Sequence, residues 1–137
     1  MRFLMLVKAT IESEAGVMPT EEELAAMGKY NKELVRAGVL LDAAGLQASA
    51  KGAKVKFSAG KPSVFDGPFA EAKELIAGFW MIQVKSKEEA IEWAKRVPFG
   101  LDPKRGGERE IEVRQVFEVD DFGSSQAVEA MRKLGME

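Results

Sequence analysis

The residues best suited to acid–base chemistry lie near the middle of the chain. Asp66 supplies a carboxylate, Gly67 and Pro68 follow it, and Phe69 supplies an aromatic ring. Glycine allows backbone angles that other residues avoid, including positive φ, and proline fixes φ, so the pair predicts a stiff, sharply directed turn. Two interpretations of Asp66 stay open. It either bonds nearby backbone N–H groups as a turn former, or is aimed with Phe69 into a cleft with Lys73 near the rim.

A second pair of charged residues lies closer to the C-terminus. Glu112 and Arg114 are two positions apart, so on a strand they project from the same face. If Asp66 reaches the same rim, the site holds two carboxylates and one guanidinium, with Lys73 close by. Arg114 could then grip a carboxylate or phenolate substrate, and Asp66 or Glu112 would be the catalytic acid–base group. The alternative is a partly exposed ion pair worth at most about 1 kcal/mol.

Asn31 is a further candidate for substrate binding. It falls in the middle of the apolar face of a predicted helix that also carries Leu24, Leu34 and Val35. An amide in that position is either a hydrogen-bonded core group that anchors the helix to the sheet, or a pocket residue.

Composition excludes several kinds of chemistry. The 137 residues include no cysteine and no histidine, which rules out thiol nucleophiles, histidine bases and zinc sites built on these residues. No acidic loop has calcium spacing, so neither a metal site nor a cofactor is expected. The net charge of −2, without a basic block, argues against a nucleic-acid partner. The apolar run that begins the chain is too short for a membrane span and lacks a signal-peptide pattern, which predicts a cytoplasmic protein.

Hydrophobic periodicity and turn signals predict alternating strands and helices. The first strand and the strand near Trp80 are apolar on both faces, which is typical of central strands. Capping-box patterns begin the helices at Thr20 and Ser86, and Gly38 ends the first of them. The predicted elements are strands at 2–9, 39–46, 75–85 and 110–119, a hairpin at 54–58 and 62–65, helices at 20–37, 86–96 and 124–134, and a loop at 98–108.

Without the hairpin this order is βαββαβ, an α+β pattern of the ferredoxin-like type. We expect one domain over residues 1–119, with 120–137 as a helical extension that covers the domain or forms a dimer arm. Two helices can cover only one face of the sheet, and the other face is apolar as well. The sequence therefore predicts a homodimer that buries the two uncovered faces against each other.

The stretch from Asp66 to Glu74 resembles the signature of the DGPF proteins, a branch of the YCII-related family. The similarity extends through nearly the whole chain. Further matching segments are Ala37 to Leu41, Gly45 to Gln47, Gly78 with Phe79, Glu112 to Arg114, and Asp121 to Gly123.

The resemblance implies a ferredoxin-like dimeric α/β barrel. It also implies two functions from different classes. One is a small-molecule enzyme, comparable with a family dehydrochlorinase that acts on a chlorinated hydroxyquinol. The other is a non-catalytic dimeric module for interaction or regulation, linked to alternative sigma factors. Some members are thought to use a His and Asp pair, which this chain cannot form because it has no histidine.

Overall fold

The computed structural model describes residues 1–100 and 108–136, without the side chain of Lys73. Most of the loop predicted at 98–108 lies outside these residues. The chain is a mixed α+β protein, which confirms the predicted class. Its elements are β1 (Arg2–Lys8), α1 (Ile11–Glu14), α2 (Glu21–Arg36), β2 (Leu40–Gly45), β3 (Ala53–Ser58), β4 (Lys61–Asp66), β5 (Ile76–Gln83), α3 (Lys87–Lys95), β6 (Ile111–Gln115) and α4 (Gln126–Lys133).

Four strands form one antiparallel sheet in the order β2-β5-β1-β6. The two strands that are apolar on both faces, β1 and β5, occupy its centre, as their pattern predicts. Gly78 on β5 lets β2 come close, because a Cβ there would lie 2.9 Å from the carbonyl oxygen of Ala44. Glycine in a strand interior is typical of such a close approach between backbones.

One face of the sheet packs against α2 and α3 to form the core. Its members are nearly inaccessible to solvent, and Met5, Leu34, Ile82 and Ala90 have an exposed fraction of 0%. The remaining core residues are Phe3, Tyr30, Val39, Trp80, Val84, Trp93 and Val97. The side chains of β1 and β5 that point the other way lie on a second face, which we call the open face.

Helix α2 begins at the predicted cap. The Thr20 hydroxyl accepts from the Glu23 N–H at 3.1 Å, and the Glu23 carboxylate accepts from the Thr20 N–H at 3.0 Å. The predicted buried face of α2 was partly wrong, since Leu24 is 51% and Val35 62% exposed. The helix is instead rotated toward Tyr30, whose hydroxyl donates to the Trp93 carbonyl at 2.7 Å and joins α2 to α3.

The last strand is shorter than the predicted range 110–119, because it ends at Gln115 and leaves Phe117 outside the sheet. Phe117 is 67% exposed. Beyond Gln115 the chain leaves the sheet, because Glu118 caps the 3₁₀ turn Val119–Phe122 and its N–H donates to the Asp121 carboxylate at 2.8 Å. The Glu118 carboxylate accepts from Arg2 at 3.1 Å, which fixes this departure.

The predicted hairpin, β3 and β4, forms a separate two-stranded sheet. Its strands are joined by a two-residue turn in which Ala59 and Gly60 both have positive φ, 51° and 78°. This pair of angles suits the right-handed twist of the strands. Every residue of both strands is exposed, and none belongs to the described core.

Candidate functional site

The turn that carries Asp66 lies at the root of the hairpin and is held by its backbone. The Gly67 N–H donates to the Gly52 carbonyl at 3.0 Å, and the Gly67–Pro68 peptide is cis. Gly67 does not adopt the positive φ that glycine allows. Glycine is required for a different reason, since a Cβ at this position would lie 1.8 Å from the carbonyl oxygen of Ser49.

Ser49 is the centre of the hydrogen bonds that hold this turn. Its hydroxyl donates to Glu14 Oε2 at 2.5 Å and accepts from the Phe69 N–H at 3.0 Å. Its own N–H donates to Glu14 Oε1 at 3.0 Å. These bonds tie α1, the segment after β2 and the turn together, so we name the three residues Glu14, Ser49 and Phe69 the Ser49 clamp.

Sequence reasoning missed the Ser49 clamp. No helix was predicted between the strand at 2–9 and the helix at 20–37, but Thr10 and Ser13 form a capping box that begins the short helix α1. That capping pattern is readable from the sequence and could have indicated α1. The pairing of Glu14 with Ser49 has no such signal, because it depends on how distant segments of the chain meet.

Asp66 itself is exposed and is the last residue of β4. Its carboxylate makes no hydrogen bond to the part of the chain that the structure describes, so the turn does not depend on it there. Phe69 is half-buried, and the Lys54 ammonium lies 4.3 Å from the centre of its ring. The turn therefore presents an exposed Asp66 carboxylate and, separately, the Phe69 ring with a cation over it. The side chain of Lys73, expected near this rim, lies outside the described residues.

The open face of the main sheet has an apolar floor. Leu4 is paired with Met81, and Leu6 with Phe79, on the neighbouring strands β1 and β5. All four side chains are only half-buried. In the described chain nothing packs over them as α2 and α3 pack over the opposite face.

A row of charges borders this floor along β1 and β6. Glu112 Oε1 lies 3.1 Å from Lys8 Nζ, and Glu112 Oε2 accepts from Arg114 Nη1 at 3.0 Å. Glu112 and Arg114 are thus adjacent, as their spacing predicts. The hydrogen bonds from Arg114 and then Lys8 hold the pKa of Glu112 below its usual range. Glu112 therefore stays ionised at neutral pH and orients the two cations, a role different from that of a general acid.

Lys8 was absent from the candidates drawn from the sequence. The signal was available, because the alternation of β1 places Lys8 on the same face as Leu4 and Leu6. What the sequence does not show is the register. In the structure Leu6 is opposite Glu112, which brings the carboxylate within reach of Lys8 at the end of the strand.

The candidates fall into three separate places. Asp66 and Phe69 lie at the hairpin root, while Glu112 and Arg114 lie on the open face, and no direct contact joins the two groups within residues 1–100 and 108–136. Asn31 lies on the opposite face, where its Oδ1 accepts from the Trp80 indole N–H at 2.8 Å. This bond anchors α2 to the sheet, the first of the two roles considered for that amide.

Other features of the described residues define the site further. No three acidic side chains in that part of the chain are placed to hold a metal ion. None of its helices is long and apolar enough to cross a membrane.

A shallow, open concavity of about 600 Å³ lies at α4 and contains none of the candidate residues. It is lined by Ser124, Ser125, Gln126, Glu129, Ala130 and Lys133.

Comparisons with known proteins place the chain in a family. Residues 1–120 match the model of the YCII-related domain. An uncharacterised protein of Rhizobium meliloti (strain 1021) is 36% identical over 75 residues, which is 55% of this chain and 60% of that protein. The aligned part thus spans less than two thirds of the relative's own length. Because the domain match covers most of the chain, the protein belongs to the YCII-related family.

Proposed function

We propose that this protein is a homodimer that binds a small organic anion on the open face of its sheet. The observation that carries the proposal is an apolar floor bordered by the charge row Lys8, Glu112 and Arg114. Two cations against one carboxylate leave one positive charge in excess. A ligand with an apolar or aromatic body and one carboxylate or phenolate group matches both parts of this surface.

The distribution of apolar surface supports the proposed dimer. The strand order β2-β5-β1-β6, with α2 and α3 on one side, corresponds to a ferredoxin-like unit. In that arrangement the open face has no cover from its own chain. Two copies placed with their open faces together would form a dimeric α/β barrel and enclose the charge row between subunits, where water is scarce and charged contacts are stronger.

Arg114 is the residue best placed to hold the anion. Its side chain is 69% exposed and uses one terminal nitrogen for Glu112. The other guanidinium N–H groups are directed away from that bond and can donate to a ligand oxygen. Lys8, with only 19% of its side chain exposed, supports Glu112 from the other side. The ligand thus meets a guanidinium that Glu112 orients before binding.

An enzymatic function at the hairpin root is a second candidate. It is favoured by the Ser49 clamp, which fixes the turn while the Asp66 carboxylate stays outside the hydrogen-bond network. A positioned carboxylate without a protein partner could take a proton from a bound substrate. In this alternative Asp66 is a catalytic base, and no histidine is needed.

The test is a thermal-shift screen against short carboxylates and phenolates, followed by calorimetry on any hit. A ligand at about 100 times its Kd adds about 2.7 kcal/mol to the free energy of unfolding, a shift of several degrees for a domain of this size. We expect Arg114→Ala to weaken binding at least tenfold, because a charged hydrogen bond contributes about 1.5–3 kcal/mol. Light scattering should give about twice the mass of one chain at micromolar concentration.

Matched variants separate the two candidates. Arg36→Ala removes an exposed arginine at the end of α2 and should leave binding unchanged. Asp66→Asn should also leave affinity unchanged if the site lies on the open face, and should abolish turnover if Asp66 is a base. A hit that survives Arg114→Ala would contradict the open-face site. A dimer without any hit would favour the interaction module, including the regulatory link to alternative sigma factors.

A further inference from the structure

The β3 and β4 hairpin carries an apolar surface that nothing in the described chain covers. Its pairing places Val55 opposite Val64 and Phe57 opposite Pro62, so these four side chains share one face, which we call the bare face. Val55 is 52%, Val64 67% and Phe57 73% exposed. A two-stranded hairpin is at best marginally stable in water without packing on one face.

The other face of the same hairpin is suited to solvent. Lys54, Lys56 and Lys61 lie on it, and Lys56 Nζ is 5.1 Å from the centre of the Phe65 ring. Lys54 covers Phe69 in the same way. The aromatic rings on this side therefore have cations over them, while the bare face has no such cover.

The total surface of the chain points to a missing partner. The whole chain, residues 101–107 and 137 included, exposes 9856 Å², whereas a monomer of 15.0 kDa is expected to expose about 7,000 Å². The excess of roughly 2,800 Å² is larger than the roughly 800 Å² that each partner buries in a standard interface, so the chain has surface enough for a contact at the bare face in addition to the open face. A second copy of the chain could bury this surface, because in a two-fold dimer the same surface of each subunit is buried against the other.

We propose that the hairpin is a dimer arm whose bare face packs on a second copy of this chain. This inference rests on the proposed homodimer and adds a contact outside the open face. The arm is joined to the Asp66 turn, which the Ser49 clamp holds to the rest of its own subunit. Docking of the arm therefore places the turn, with Asp66 and Phe69, at the subunit boundary.

The absence of native cysteine makes a direct test possible. Val64→Cys places one thiol on the bare face, and Ser63→Cys places one on the neighbouring residue of the opposite face. Both positions are exposed in the single chain, so without docking the two thiols should react with a maleimide at similar rates. With the arm docked, we expect the thiol at position 64 to react at least tenfold more slowly than the thiol at position 63. Light scattering on each variant gives its oligomeric state.

The outcomes distinguish this proposal from the homodimer itself. Protection at 64 that is lost when the protein is diluted to monomer supports the arm. Equal reactivity at 63 and 64 in a confirmed dimer overturns the arm and leaves the homodimer standing. Equal reactivity in a monomer overturns both. Protection at 64 that persists in a monomer also overturns the arm, because the hairpin then folds against its own chain.

A second pair of variants tests the energetic role of the bare face. Val64→Lys introduces a charge into the proposed interface, and Ser63→Lys adds the same charge to the face that already carries lysines. We expect Val64→Lys to raise the concentration for half-dissociation at least tenfold, measured by sedimentation, and Ser63→Lys to leave it within twofold. Equal effects of the two substitutions would overturn the proposal. Retention of the α and β content in far-UV circular dichroism confirms that each variant is folded.

Discussion

The helix-covered side of the main sheet and the hairpin differ in how much of their packing is present within one chain. On the helix-covered side the core side chains are at most 9% exposed. On the bare face of the hairpin the exposed fractions of Val55, Phe57 and Val64 are 52% to 73%. The sheet core is therefore completed by contacts within the chain. In the hairpin the turn, the strand register and the hydrogen bonds at the root are all formed within the chain, but neither face of its sheet is packed against the described core.

Among the substitutions that test this difference between core and hairpin, we expect the largest loss of stability at the hairpin root. Gly67→Ala would put a Cβ 1.8 Å from the Ser49 carbonyl oxygen, a backbone atom that cannot move without disturbing the turn. Overpacking typically costs about 1–3 kcal/mol, and we expect about 3 kcal/mol for so close an overlap. The Phe69 N–H, which donates to Ser49, should lose about a hundredfold of its protection from hydrogen exchange.

Gly52→Ala is the matched control for this prediction. A Cβ at Gly52 would lie 3.5 Å from the same Ser49 oxygen, which is an ordinary contact, so protection should change little. Amides of β1 and β5 should keep their protection in both variants. A comparable loss of protection in those strands after Gly67→Ala would break the distinction between hairpin and core.

A second prediction concerns the core and its dependence on pH. Burial raises the pKa of Tyr30 to about 12, against about 10 in the unfolded chain. The unfolded state therefore loses its phenolic proton first as the pH rises. The stabilising contribution of Tyr30 is fully present below pH 10, and about 3 kcal/mol of it is lost as the pH rises through 12. Urea unfolding at pH 7, 10 and 11.5 measures this loss.

Tyr30→Phe isolates the contribution of the phenol. At neutral pH we expect a cost of about 1 kcal/mol, because the hydrogen bond to the Trp93 carbonyl is removed. Lysines also titrate in the alkaline range, so the informative quantity is the difference between wild type and variant. That difference should shrink above pH 10 and reverse in sign by pH 11.5, where Tyr30→Phe becomes the more stable protein. If the two proteins lost stability in parallel, the core would not be responsible for the alkaline loss.

The smallest predicted effect lies at the tip of the hairpin. Ala59 has a φ of 51°, a conformation that is costly for alanine and more accessible to asparagine. Ala59→Asn creates the Asn-Gly pair preferred in such turns and should stabilise the hairpin by less than about 1 kcal/mol. Hydrogen exchange of the hairpin amides should slow a few fold. Ala59→Val, which adds a β-branched residue at the same angle, should have the opposite effect.

Much of the fold could be predicted because its signals are local. The caps at Thr20 and Ser86, the stop at Gly38 and the two-faced strands β1 and β5 follow from short sequence patterns. The errors arose where tertiary contacts override such patterns. Tyr30 was not placed in the core, because its hydrogen-bond partner Trp93 lies on another helix. The last strand was predicted to include Phe117, but the chain leaves the sheet before that residue and Glu118 caps a turn.

The candidate site was predictable only in part for the same reason. The adjacency of Glu112 and Arg114 follows from the period of one strand, and Lys8 required the register between β1 and β6. The chemistry of the Asp66 turn left open whether the carboxylate holds its own backbone or is aimed into a cleft. In the structure Ser49 and Glu14 hold that backbone, through contacts between residues that are 20 and 35 positions apart.

The Ser49 clamp also bears on the order in which the chain folds. The hairpin is a local structure, and isolated hairpins form in about 1–10 μs. The clamp requires two larger loops to close, from Glu14 to Ser49 and from Ser49 to Phe69, and the entropy of closure delays such non-local contacts. The strands of the hairpin should therefore pair early, while their orientation is fixed late. Mutations in the clamp would then accelerate unfolding and leave the folding rate nearly unchanged.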